Sequence, residues 1–316
     1  TGAYPLDIDG DGLTDLAVLR NGENYLLRGL GQCRFERANE AWGFDGGDEW
    51  TTAFSAKWED RSPLPTLAFG DYIDDSSDHT GWRCSAGDLF RPSPSGTGYD
   101  TPIALTPSYC PLSLLFSDWD RSGRVDLRVS NDRHYYPDGD GQEQLWQVAP
   151  GEAPRLYASE DGWQPLRLFG MGIASHDVTG DGYPDVYLSS IGPNRLQTLE
   201  EGPDQPNFTD ISRERGVTAT NPIGDKSLPS TAWHNEFDDV NNDGLIDLFV
   251  AKGNINETPD HAKRDPSVLF MGLPDGTFVD QAAAAGIDSP ERGRGAAVYD
   301  LNLDGLLDVV QVNRRD

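Results

Sequence analysis

Asp239-Val240-Asn241-Asn242-Asp243-Gly244-Leu245-Ile246-Asp247 places an oxygen-bearing side chain at positions 1, 3, 5 and 9 of a nine-residue loop, with glycine at position 6. Leu248-Phe249-Val250 follows at once and reads as a buried strand. Hard divalent cations such as calcium take six to eight oxygen ligands, and a tight acidic turn can supply most of them. Gly244 permits the sharp bend that turns those oxygens toward one point, and the Leu245 carbonyl at position 7 can add another.

The pattern recurs, and the recurrence predicts the fold. Asp7, Asp9, Asp11 and Asp15 form a copy around Gly12, with Leu13 at position 7. Asp118, Asp120, Ser122 and Asp126 surround Gly123, with Arg124 at position 7. Asp177, Thr179, Asp181 and Asp185 surround Gly182, with Tyr183 there. Asp300, Asn302, Asp304 and Asp308 surround Gly305, with Leu306 there. From residue 118 onward the copies start 59, 62 and 61 residues apart, while the gap from 7 to 118 is about twice as long. A hidden copy is therefore expected near residue 58, and Lys57–Phe69 aligns with Ser117–Val129. There Trp58 replaces the first ligand, Pro63 the glycine and Thr66 the last carboxylate, so this copy is expected to keep the fold and bind no metal.

Each unit reads as four strands. An apolar strand such as 231–237 precedes the loop and a second follows it, at 16–20, 67–69, 127–130, 186–190, 248–252 and 309–312. Third strands read at 24–28 and 267–271. Fourth strands are marked by aromatics expected to be buried, Phe35, Phe208 and Phe278, and units close on turns such as Arg215-Gly216-Val217. Four-stranded units repeating at this interval are the signature of β-propeller blades. The expected fold is all-β: a β-propeller of four-stranded antiparallel blades with calcium-binding loops, in one domain over 1–316. Its repeats run approximately 1–50, 51–110, 111–170, 171–230 and 231–293, followed by a partial one, 294–316, that holds only the hairpin of a sixth blade. Strands from outside the chain, or a larger ring, would complete that blade. Helix-period runs are scarce, and the best candidate is Gln281–Ala285, barely a turn. An EF-hand is excluded because its loop requires a bidentate Glu at position 12 and flanking helices; position 12 here is Val18, Val129, Leu188, Val250 or Gln311.

With 53 acidic and 25 basic residues the formal net charge is −28, which disfavours nucleic acid and anionic lipid as partners. Five divalent ions would reduce it to −18, so metal accounts for part of the acidity. Eight Trp, eleven Tyr and twelve Phe argue against disorder. No apolar run is long enough to cross a membrane. The chain starts inside its first loop region with no signal peptide, as a mature, trimmed or partial sequence would. Cys84 and Cys110 can pair in an oxidising compartment; the alternative is three buried thiols, with Cys33 inert.

No metalloprotease, nucleophile-elbow or phosphate-loop motif is present, and a non-enzymatic role is expected. His176 and His234 fall on first strands and are expected as hydrogen-bonded core residues, with a shared metal site as the sharper alternative. Asp138–Gly141 reads as a turn. Asn207-Phe208-Thr209 and Asn256-Glu257-Thr258 fit the glycosylation pattern. The long links between second and third strands carry His79, Trp82, His134, Tyr135, Tyr136, His261, Lys263 and Arg264, and long loops on a rigid scaffold are where binding concentrates.

The five loops, with the ending Asp275-Gly276-Thr277-Phe278-Val279-Asp280 through Ala285-Gly286-Ile287, resemble integrin-type FG-GAP propeller repeats. More closely they resemble the VCBS-repeat family of bacterial relatives of cartilage acidic protein. The resemblance covers essentially the whole chain and implies calcium between the first two strands of each blade, up to five Ca2+ ions, and an extracellular or periplasmic location. The expected function is a secreted calcium-binding module with a protein partner or self-assembly. The alternative is a carbohydrate-binding or polysaccharide-degrading propeller, motivated by Trp82, Tyr135 and Tyr136.

Overall fold

A computed structural model describes residues 2–59, 62–74, 83–132, 141–219, 228–255 and 260–314. The chain forms two compact units, the first of Thr1–Ser117, Arg124–Tyr157 and Pro165–Arg167, the second of Asp118–Gly123, Ala158–Gln164 and Leu168–Asp316. The fold is all-β and built from propeller-type blades, as the loop spacing predicts: the described residues form five four-stranded antiparallel sheets and one two-stranded sheet.

The first unit holds three sheets. The first is β1 (Ala3–Leu6), β2 (Asp15–Val18), β3 (Tyr25–Gly29) and β4 (Phe35–Arg37). The second, β5 (Thr51–Lys57), β6 (Thr66–Asp71), β7 (Gly87–Phe90) and β8 (Ile103–Leu105), is the blade of the degenerate copy and keeps the full meander. The third is β9 (Pro111–Ser117), β10 (Asp126–Asn131), β11 (Gln144–Gln147) and β12 (Arg155–Leu156). The second strands β6 and β10 are buried at every position, as expected for the middle of a blade packed on both faces. Phe44, Phe54, Phe69, Phe90 and Tyr99 form an aromatic core between the first two sheets. Leu89, Leu114, Leu127, Val129 and Trp146 fill the core between the second and third.

In the second unit, β13 (Gly170–His176), β14 (Asp185–Ser190), β15 (Arg195–Leu199) and β16 (Phe208–Asp210) make one blade. Another is β17 (Ala232–Asp238), β18 (Asp247–Lys252), β19 (Val268–Gly272) and β20 (Phe278–Asp280). β21 (Arg292–Tyr299) pairs with β22 (Asp308–Arg314) as the hairpin of the partial repeat. Tyr187, Leu196, Leu248, Val250 and Phe270 pack between the two blades, and Phe249 and Leu269 pack against Val298 of the hairpin. Each blade here closes on a single helical turn, α1 (Ser212–Arg215) or α2 (Ala282–Ala285), stopped by a left-handed glycine, Gly216 or Gly286.

Several expectations are corrected. Phe208 and Phe278 are buried, but Phe35 is 39% exposed, on β4, the last strand of its sheet, which is exposed at every position. His176 is exposed at the end of β13, its ring near Phe237, and is not a core residue. His234 is half-buried with Nε2 3.3 Å from Glu236 Oε2, an ordinary polar contact within β17. Cys84 and Cys110 form a disulfide, and Cys33 is free and exposed, so the three-buried-thiol alternative fails. His79, Trp82, His134, Tyr135, Tyr136, Asp138, Gly139, Asp140 and the Asn256-Glu257-Thr258 sequon lie outside the described residues.

At the end of β6 away from the loop, Asp71 is buried and accepts a hydrogen bond from Thr51 Oγ1 at 2.5 Å. Burial pushes its carboxyl up to about 7 despite that bond, with the nearby charges of Asp88 and Glu49 adding to the rise. A carboxyl whose pKa is raised on folding takes up a proton as the chain folds. Its stabilisation is complete in acid and is lost as pH climbs from the unfolded value, near 4, through about 7. We expect wild type to lose on the order of 3 kcal/mol of unfolding free energy across that window through this group. Asp71→Asn should flatten the slope, as read from urea denaturation at a series of pH values.

Candidate metal loops

Each acidic loop begins with the backbone, which folds the turn onto its own carboxylates. In the fourth loop, Gly244 N donates to Asp239 Oδ2 (2.8 Å) and Leu245 N to Asp243 Oδ1 (2.8 Å). Asp243 N donates to Asn241 Oδ1 (3.0 Å), and Val240 N to Asp247 Oδ2 (3.0 Å). The same bonds recur at equivalent positions. Gly12, Gly123, Gly182 and Gly305 donate to Asp7, Asp118, Asp177 and Asp300 at 2.8–3.1 Å. Leu13, Tyr183 and Leu306 donate to Asp11, Asp181 and Asp304 at 2.8–2.9 Å. Ile8, Val178 and Leu301 donate to Asp15, Asp185 and Asp308 at 2.7–3.1 Å. Thr179 N also donates to Asp185 Oδ2, Ser122 N to Asp120 Oδ1, and Asp304 N to Asn302 Oδ1. All five position-6 glycines have φ between +83° and +92°, the left-handed region that the bend requires.

The position-9 aspartate anchors the loop to the third strand. Asp15 Oδ1 accepts from Gly29 N (2.7 Å), Asp126 Oδ1 from Val148 N (3.1 Å) and Asp247 Oδ1 from Gly272 N (2.8 Å). Asp15, Asp126 and Asp247 are fully buried. Burial raises the carboxyl pKa of both Asp185 and Asp247, with Asp243 and Asp239 pushing Asp247 further the same way. At Gly272 a β-carbon would lie 2.4 Å from the Ile246 carbonyl oxygen, and at Gly29 2.2 Å from that of Thr14. Gly272→Ala is therefore expected to cost about 2 kcal/mol through backbone displacement and to weaken the loop it abuts, measured as a urea midpoint and a calcium isotherm on one sample.

In the first loop, ligand oxygens of Asp7, Asp9 and Asp15 lie within 4.8 Å of one another, and Asp7 Oδ1 is buried without a hydrogen-bond partner. A hard divalent cation would satisfy that oxygen, so the donor set fits calcium by type and by need. The sequence did not signal the basic residues found near the loops. The Arg28 guanidinium reaches Asp9 Oδ2 (Nε, 2.9 Å) and Asp11 Oδ2 (Nη2, 3.2 Å). Burial raises the Asp9 carboxyl and Arg28 opposes that rise. Arg124, predicted only as a carbonyl donor, turns its side chain onto Asp126 (3.2 Å), which also accepts from Tyr157 OH (2.8 Å). In the degenerate copy Glu59 Oε1 meets Arg91 Nη1 (2.9 Å), Thr66 Oγ1 (3.0 Å) and Lys57 Nζ (3.8 Å), so basic side chains occupy the loop. Neighbouring loops are stitched at their tips: Arg121 Nε donates to Gly182 O (3.0 Å) and Asn242 Nδ2 to Gly305 O (3.0 Å).

Residues 239–310, spanning the last two loops, match the FG-GAP-like repeat. The chain is 31% identical to cartilage acidic protein 1 of Mus musculus over 153 residues, 46% of this chain and 21% of the relative. It is 26% identical to the Xenopus tropicalis protein over 209 residues, 56% of this chain and 29% of the relative. The matched region spans less than a third of the length of these relatives. Among solved structures, an Agrocybe aegerita lectin described as recognising non-reducing terminal N-acetylglucosamine aligns with a TM-score of 0.49 at 14% identity, covering 98% of this chain and 74% of that one. The V. cholerae biofilm matrix protein Bap1 aligns with a TM-score of 0.45 at 13% identity, covering 94% of this chain and 40% of that one. Among the described residues no helix is long and apolar enough to cross a membrane.

Proposed function

We propose that this chain is a calcium-loaded, blade-repeat binding module that works outside the cytoplasm, extracellular or periplasmic, and engages a protein partner or further chains in an assembly. The observation that carries the reading is the repeated loop: the same backbone bonds hold the position-1 carboxylates at 7–15, 177–185, 239–247 and 300–308, and in the first loop ligand oxygens of Asp7, Asp9 and Asp15 lie within 4.8 Å of one another. In the 118–126 copy the position-1 carboxylate bonds the glycine in the same way. Calcium would neutralise the clustered carboxylates and fix each first hairpin, holding the opposite ends of the strands rigid for binding. The FG-GAP-like match over two of these loops supports the metal reading. The Cys84–Cys110 disulfide supports an oxidising compartment. An assembly role draws on the β21–β22 hairpin, whose exposed Tyr299, Leu301, Leu303, Val310 and Val312 flank a sheet of two strands.

Isothermal titration with calcium tests the metal half of the reading. Saturable binding with dissociation constants on the order of 0.1–1 mM is expected, the range of extracellular modules. A flat isotherm up to several millimolar would remove it. Native mass measurement across a concentration series tests assembly: a particle that stays at the mass of one chain would contradict self-association.

A further inference from the structure

The strand registers place one position of each blade against its loop. Leu16, Leu67, Leu127, Val186 and Leu248, each directly after loop position 9, pair with Leu27, Phe90, Trp146, Gln197 and Phe270 on the third strand. The next third-strand residue is Arg28, Arg91, Gln147, Thr198 or Met271 in turn. In the first blade its guanidinium sits at ion-pair distance from Asp9 Oδ2 and Asp11 Oδ2. Those oxygens are the ones left over after the loop's own N–H groups have taken Oδ1 of each residue. In the second blade the equivalent Arg91 lies on Glu59, and that loop has lost its first ligand, its glycine and its last carboxylate. Lys57 adds a second cation there, its Nζ held by the Val125 and Val148 carbonyls at 2.9 and 2.6 Å. By contrast, among the described residues no Lys or Arg makes an ion pair with the carboxylates of the loops at 177–185, 239–247 or 300–308.

We propose that a guanidinium at this third-strand position lowers its loop's affinity for a divalent cation: it is a tethered competitor for the metal. Arg28 guards the first loop, Arg91 with Lys57 has replaced the ion outright in the degenerate one, and Thr198 and Met271 bring no cation to theirs, Thr198 offering Asp185 only a neutral hydroxyl. The inference rests on the calcium reading above and adds a grading to it. Arg28 is about two-fifths exposed, 43% by side chain, so it can swing out when an ion enters. The first loop then loads after the open loops, and at a calcium concentration set by the strength of the Arg28 pairs. Ion pairs this exposed are weak, and displacing them should cost the loop about threefold to fivefold in affinity.

A reciprocal exchange tests this by calcium calorimetry with ion counting by native mass spectrometry. Arg28→Met installs the residue of the fifth blade in the first, and Met271→Arg does the reverse. Wild type should load in two phases. Arg28→Met should move one ion about threefold to fivefold tighter, and Met271→Arg should move one ion weaker by at least as much. Arg28→Gln, polar but uncharged, should behave as Arg28→Met and separates loss of charge from any packing change; unchanged circular dichroism shows that each variant folds. Equal affinity at every wild-type site, or isotherms unmoved by both exchanges, overturns the grading and leaves the calcium reading intact. Absence of calcium binding in wild type and variants alike overturns both.

Discussion

Excess chelator should lower the melting temperature by on the order of 10 °C relative to 2 mM calcium. A ligand that binds only the folded state stabilises it by mass action. With dissociation constants on the order of 0.1–1 mM, each loop contributes about 0.7 to 2 kcal/mol at that concentration. Several loops together reach about 3 to 9 kcal/mol, and in a chain of this size each kcal/mol moves the midpoint by about 2–4 °C. The five loops carry sixteen side-chain carboxylates, in the first of them with oxygens of Asp7, Asp9 and Asp15 within 4.8 Å of one another, and like charges so placed repel without an ion. Magnesium should rescue less, since it keeps its water and demands near-ideal octahedral geometry. Sodium chloride at matched ionic strength screens the repulsion and should recover only a small part. A melting curve indifferent to chelator would mean that the loops are held by their backbone hydrogen bonds alone.

Lys252→Met should cost about 3–5 kcal/mol, the largest effect expected from a single substitution. Lys252 Nζ lies 2.8 Å from Asp265 Oδ1 with both side chains fully buried, an ionic contact off the hydrogen-bonding direction. Asp265 also accepts from Ser230 Oγ (2.8 Å) and Thr231 N (2.7 Å), which ties the long link after β18 to the start of β17. Removing the lysine leaves a buried carboxylate with hydrogen bonds but no counter-charge, and that is the costly half of a broken pair. The double variant Lys252→Met/Asp265→Leu should recover much of the loss, short of wild type because Ser230 and Thr231 lose their acceptor. Urea denaturation in saturating calcium measures both. A single variant within about 1 kcal/mol of wild type would show that water reaches the site and solvates Asp265.

Much of the fold was legible because the loop is a local object. Position 6 needs a glycine at positive φ, positions 1, 3, 5 and 9 need oxygen, and a buried strand follows directly, so a nine-residue window carries the whole signal. Its spacing then exposed the degenerate copy at 58–66, which the β5–β8 sheet confirms as a blade. What stayed hidden depends on contacts between distant segments. Arg28 is 19 residues from Asp9 and nothing in its neighbours marks it as different from any exposed arginine; only the β2–β3 register brings it over the loop. Lys252 and Asp265 read as ordinary charged residues, one at a strand end and one in a link, yet both are buried. Phe35 and His176 were misplaced for a related reason: strand periodicity says which face a residue takes, and it does not say whether another element covers that face.

The central claim, that repeated acidic turns hold divalent ions between the first two strands of each blade, is tested most directly by anomalous diffraction from crystals grown in calcium. A peak is expected within each of the loops 7–15, 118–126, 177–185, 239–247 and 300–308, weakest beside Arg28 at low calcium, and none at 58–66. An empty 239–247 loop in calcium-saturated crystals would contradict it.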